Sequence, residues 1–100
     1  MFARTTQLQL QPGKLAEFKR IFQEVIVPGL QRQPGFHSIT LLTDDANNKV
    51  LGIGLWSNEA NLIRNESSGV YQELLGNVRH LLTEPPMREA YAVSLQVEPI

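Results

Sequence analysis

One hundred residues, 42% hydrophobic and 19% charged, make a single ordinary globular domain spanning 1–100. A net charge of −1 leaves no field to draw nucleic acid or an anionic membrane, so neither partner is expected. The lack of Cys rules out disulfides, thiolate catalysis and Cys-based metal sites. With no run of ~18 apolar residues and no basic-then-apolar leader, a cytoplasmic location is expected.

Residues 2–10 alternate, which predicts a strand: Phe2, Arg4, Thr6, Leu8 and Leu10 share one face, and Ala3, Thr5, Gln7 and Gln9 the other. Gln11-Pro12-Gly13 ends it. Leu15, Phe18, Phe22, Val25 and Ile26 then form one helical stripe, which Pro28-Gly29 should kink or end. The turn Gln33-Pro34-Gly35 launches a strand from Phe36 to Thr43, and Asp44-Asp45-Ala46-Asn47-Asn48 turns the chain back. Val50 to Trp56 is the returning strand. Its Gly52 and Gly54 share a face, leaving space either for a closely packed neighbour or for a ligand.

Ser57 to Asn65 reads as a short helix with Ser57 or Asn58 as its N-cap. Ser67-Ser68-Gly69 interrupts, and a longer helix follows with Tyr71, Leu74, Leu75, Val78, Leu81 and Leu82 as its stripe, up to Glu84-Pro85-Pro86. The last strand is expected over Ala90 to Glu98, with Tyr91, Val93, Leu95 and Val97 turned under the helices. The order β-α-β-β-α-β is the split βαβ plan, a ferredoxin-like α+β fold with an antiparallel four-stranded sheet. A core this small gains from a partner over the other sheet face.

The catalytic vocabulary is thin. Gly52-Ile53-Gly54 lacks the third glycine of a dinucleotide fingerprint, no serine sits in a hydrolase motif, and His37 and His80 are not spaced as metal ligands, so no metal site is expected. His80 falls opposite the apolar centre of its helix and should be exposed. His37 opens a strand at a sheet edge, where a neutral imidazole could take a proton from a phenol or serve only the structure. Arg4, on an apolar strand face, needs a partner, a wet cavity or a snorkelled tip. Trp56 can anchor the following helix on the sheet or border a pocket. Asn65 and Tyr71 flank the helix interruption, where a pocket could open.

Pro12-Gly13-Lys14, Ile26-Val27-Pro28, Pro34-Gly35-Phe36-His37 and Leu55-Trp56-Ser57 run through nearly the whole chain. In these segments the sequence resembles the antibiotic biosynthesis monooxygenase superfamily of dimeric α+β barrels, nearest the quinol-monooxygenase-like branch. The resemblance implies a homodimer whose sheets close over each other and a pocket between sheet and helices. It also implies cofactor-free oxidation of a small aromatic or quinol-type metabolite. On that reading His37 is the catalytic base, and Arg4, Thr6, Trp56, Asn65 and Tyr71 hold the substrate. The branch's second histidine, near the start of the last helix, is absent from Ser68-Gly69-Val70-Tyr71. Haem-degrading relatives use an Asn on strand 1, a Trp on the broken helix and a His on the last helix. Thr6, Asn65 and Leu75 stand there instead, which argues against haem degradation. The alternatives are a non-catalytic or stress-associated barrel that binds a small molecule, and a structural dimerisation module.

Overall fold

The alternation of the strands sets up the architecture of the computed structural model, which describes residues Met1–Ile100. Strands β1 (Phe2–Gln9), β2 (Phe36–Asp44), β3 (Lys49–Trp56) and β4 (Met87–Ala92) form one antiparallel sheet in the order β2-β3-β1-β4. This is the ferredoxin-like α+β fold. Because side chains alternate along each strand, the register sorts them into cross-strand rows. On the helix side one row is Ile39, Gly54, Arg4 and Ala90, and the next is Leu41, Gly52, Thr6 and Arg88. A bulge at His37, between the paired Phe36 and Ser38, brings Phe36 onto the same face as Ile39 and Leu41.

Helices cover that face only. Helix α1 (Leu15–Ile21), a π-helical segment (Phe22–Ile26) and α2 (Val27–Gln31) follow one another without a break, so Pro28-Gly29 neither ends nor interrupts the helix. The π segment explains this. The amide of Val27 donates to the Phe22 carbonyl, a wider i to i+5 bond, and Pro28 sits in the first turn of α2, where no N–H is needed. Phe18 and Ile21 of α1 are buried and Phe22 and Ile26 pack against the core, while Val25 turns off the expected stripe, 40% exposed. Gly35 carries a φ of +76°, and a Cβ there would run into the Asn61 side chain. The turn into β2 therefore calls for glycine twice over.

Helix α3 (Glu59–Ser67) is capped by Asn58, whose Oδ1 accepts from the Asn61 amide at 2.9 Å. After the left-handed Gly69, α4 (Val70–Gly76) ends earlier than its stripe predicts, and a 3-10 turn at Arg79–Leu81 completes the segment. Leu8, Leu10, Phe18, Ile21, Val50, Leu75, Val78 and Leu81 make the buried core. His80, on the 3-10 turn, is exposed as expected.

The last strand departs most from expectation. It runs over Met87–Ala92, not over 90–98, and ladders with β1 from Gln7↔Met87 to Phe2↔Ala92. Beyond Ala92 a single backbone bond continues the pairing, the Val93 amide donating to the Met1 carbonyl at 3.0 Å, and residues 93–100 carry no regular structure. The facing is reversed as well. Tyr91 pairs with Ala3 on the helix-free side, while Arg88 shares the helix side with Thr6. Leu95 and Val97 project outward instead of packing under helices.

Candidate functional site

Between the sheet and the helices lies a cavity of about 120 Å³, roughly ten times the ~10–15 Å³ that one water needs. Its walls are mostly apolar, with Phe18, Phe22 and Ile26 from the first helical run, Leu74 and Leu75 from α4, and Phe36, Ile39 and Leu41 from β2. Gly52 and Gly54 form part of the floor. A Cβ at Gly52 would meet nothing nearer than 3.9 Å, and one at Gly54 would reach Trp56 Nε1 at 3.5 Å. Neither glycine is demanded by a close backbone approach; both leave room. Trp56 is buried with its ring edge-on to Phe36, the centroids 5.5 Å apart.

The polar groups gather in one part of this cavity. Arg4 donates from Nε and Nη2 to the two carboxylate oxygens of Glu66, both at 2.7 Å, a bidentate fork. Arg88 donates from Nη2 to Oε2 of the same carboxylate. The three side chains are between a fifth and a quarter exposed. The guanidinium carbon of Arg88 lies 3.7 Å from the centre of the Tyr71 ring, so the aromatic face carries the cation. Burial of Tyr71 raises the pKa of its hydroxyl above the ordinary tyrosine value, and Arg88 offsets part of that rise, so Tyr71 is a neutral donor at physiological pH. Asn65 is 5% exposed, and its Nδ2 makes no hydrogen bond; Arg88 Nε is likewise buried and unpaired. Buried donors of this kind are uncommon, and here both belong to residues lining one cavity.

Of the residues singled out from sequence, Arg4, Thr6, Trp56, Asn65 and Tyr71 converge on this cavity. His37 does not. As the extra residue of the bulge it is exposed on a shallow depression beside Lys19, Gln23 and Gln31. Two residues that sequence reasoning missed, Glu66 and Arg88, complete the polar cluster. The signal for Glu66 was the unmet need of Arg4 for an anion. Arg88 was hidden by placing the start of the last strand too late. Thr6, Asn65 and Leu75, the positions compared with haem-degrading relatives, all line the cavity, and none supplies an imidazole. No three His, Cys, Asp or Glu side chains come together as a metal set.

The family model described as antibiotic biosynthesis monooxygenase matches residues 1–85. The chain belongs to that family. Among solved structures, the family fold recurs in SnoaB, a cofactor-independent oxygenase from Streptomyces nogalater, with a TM-score of 0.81 and 20% identity over 98% of this chain and 97% of that one. A protein of unknown function from Nitrosomonas europaea, NE2512, aligns with a TM-score of 0.79 and 18% identity, covering 99% of this chain and 94% of its own. Rv0793 from Mycobacterium tuberculosis gives 0.76 and 16%, covering 97% and 98%. At these identities the likeness carries the fold. Comparison with curated protein sequences finds no match. No helix is long and apolar enough to cross a membrane.

Proposed function

We propose that this family member is a cofactor-independent monooxygenase that oxidises a small aromatic or quinol-type metabolite in the cavity between sheet and helices. The observation that carries the reading is the cavity itself, apolar on most sides with a few polar groups gathered together. That arrangement suits a flat, electron-rich ring held by one or two oxygen substituents. The family assignment and the likeness in fold to SnoaB support the choice of reaction class. In such chemistry the substrate is its own reductant. For a ring methylene, CH₂ + O₂ gives C=O + H₂O: one oxygen atom enters the carbon and the other leaves as water with the two hydrogens.

Arg4, Thr6, Asn65 and Tyr71 orient the ring substituents in this proposal, and Trp56 forms the wall beside Gly54. His37 is outside the cavity lining, so the proposal assigns it no proton transfer, and His37→Ala is expected to keep full activity per folded molecule. A loss of ~10²-fold, the scale of a positioned general base, would return His37 to the mechanism. The working unit proposed is a homodimer joined through the helix-free sheet face. Oxygen uptake on a panel of hydroquinones and hydroxylated anthrones tests the reaction. Substrate-dependent consumption with an oxygenated product is the expected result. Ligands that raise the melting temperature without consuming oxygen would make the chain a binding protein instead.

A further inference from the structure

The cavity and the shallow depression beside the β2 edge share a wall. Phe22, Phe36, Ile39 and Leu41, all apolar, line both hollows. Three of them stand on β2 and are held by its ladder to β3, where Phe36 pairs with Trp56, Ile39 with Gly54 and Leu41 with Gly52. The fourth, Phe22, comes from the first helical run. It is half-buried, stacked on the fully buried Phe18 with ring centroids 5.9 Å apart, and it begins the π-helical segment Phe22–Ile26. Single π turns inside α-helices are frequent at functional sites. The other sides are shut more firmly. Where α2 meets α4, a Cβ on Gly29 would lie 2.6 Å from Leu74 Cδ2, so the two helices leave no passage there. At the polar end Glu66 ties Arg4 and Arg88 together, and parting them would break charge-assisted hydrogen bonds. Moving the Phe22 side chain breaks no hydrogen bond. Its ring exchanges contact with the cavity wall for contact with the apolar floor of the depression, which Val27 and Phe36 help to form.

We propose that the seam between the π-helical segment and β2 is the entrance to the cavity, with Phe22 as its gate and the depression beside His37 as its vestibule. The proposal rests on the reading of the cavity as a site for an aromatic ring and adds the way in. Lys19, Gln23, Gln31 and His37 give the vestibule a polar rim, so a ring with oxygen substituents stays partly hydrated until it reaches the gate. Beyond the gate the shared apolar wall carries it to Gly52 and Gly54, where the floor is open. A gate is a barrier between two end states, so altering it changes the rates of entry and exit together. An ordinary wall contact acts mainly on exit.

The chain's single tryptophan, Trp56, lines the cavity and reports the arrival of a quenching ligand through its fluorescence. The probe is 4-nitrophenol, followed by stopped flow. Since the chain has no Cys, one introduced thiol can carry a bulky maleimide at a chosen place. Gln23→Cys puts the label in the vestibule, and Ser67→Cys puts it at an exposed position of α3 next to Glu66, at the polar end. The vestibule label should slow quenching about tenfold or more, and the α3 label should change it by less than about twofold. Phe22→Ala should raise the rates of entry and exit together, each about tenfold, and Phe22→Trp should lower both. The proposal is overturned by an α3 label that slows entry as much as the vestibule label, or by no slowing from either. A Phe22→Ala change confined to exit, or no quenching in the parent protein, overturns it as well. If Phe22→Ala does not fold, the two labelled proteins carry the decision. Oxygen uptake is scored separately. Entry blocked from the vestibule without oxygen consumption keeps the entrance and removes the oxygenase reading, and oxygen consumption indifferent to the vestibule label does the reverse.

Discussion

The two faces of the sheet are made by the same four strands, yet only one of them is finished by the rest of the chain. On the helix side, β3 presents Val50, Gly52, Gly54 and Trp56, and the helices close over them to leave both a core and a cavity. On the other side, β3 presents Leu51, Ile53 and Leu55, with Leu42 of β2 beside Leu51; β1 sets Gln7, Thr5 and Ala3 between them and Met87, Glu89 and Tyr91 of β4, and no helix covers this face. Met87 is 62% exposed and Tyr91 52%. Large apolar side chains left uncovered among polar neighbours on a small domain suit an interface, whereas enclosed apolar surface with polar groups inside points to a ligand. The contrast shows that alternation sorts side chains by face, but what each face does depends on what covers it.

The most damaging test of the covered face is Phe18→Ala. Phe18 is fully buried between helix and sheet, and its loss should cost ~3–5 kcal/mol, measured as a fall in the denaturant midpoint at unchanged slope. A cost below about 1 kcal/mol would mean that the covered face is no better packed than the open one.

On the open face, Ile53→Asp places a charge at the centre of the proposed dimer contact. Light scattering at micromolar concentration should read twice 11.3 kDa for the parent and 11.3 kDa for the variant, with helical circular dichroism retained. A parent that is already monomeric would leave the open face as plain solvent-facing surface.

Gly52→Leu sharpens the contrast from inside the cavity. With no atom nearer than 3.9 Å to the added Cβ, the larger side chain fills ligand space without straining the backbone. Binding of 4-nitrophenol should weaken tenfold or more, while stability shifts by less than about 1 kcal/mol. Strong destabilisation with binding intact would assign the two glycines to packing.

The smallest effect expected is electrostatic. The pKa of Tyr71 is raised in the folded state, chiefly by burial, so above the ordinary tyrosine value of about 10 the unfolded chain gives up this proton first and stability falls as pH rises. Below that pH the contribution is fully present. Tyr71→Phe should flatten this alkaline decline by under about 1 kcal/mol, read from unfolding midpoints on either side of pH ~10. An identical decline in parent and variant would mean that the cavity does not shield Tyr71.

The βαββαβ order was legible because strand alternation, helical stripes and Gly/Pro turns act over a few residues. The Asn58 cap and the Ser67-Ser68-Gly69 interruption are local in the same sense. Most of the cavity was legible too: a charged Arg4 on an apolar strand and paired glycines on the next are local anomalies that only a cavity or a partner resolves. The errors lie where a local irregularity breaks the period or a distant segment decides. Passage of the helix through Pro28 depends on the π slip at Phe22–Ile26. The extent and facing of β4 depend on its register against β1, a strand about eighty residues away in the chain.

By itself, then, the sequence determined which side chains share a face, because periods of 2 and 3.6 residues are properties of the backbone. Only the tertiary structure decided that Arg4, Asn65, Glu66, Tyr71 and Arg88, drawn from β1, α3, α4 and β4, meet in one cavity while His37 stands outside it. The physical reason is that cross-strand register and helix-to-sheet packing are set by contacts between segments far apart in the chain, which no local pattern encodes.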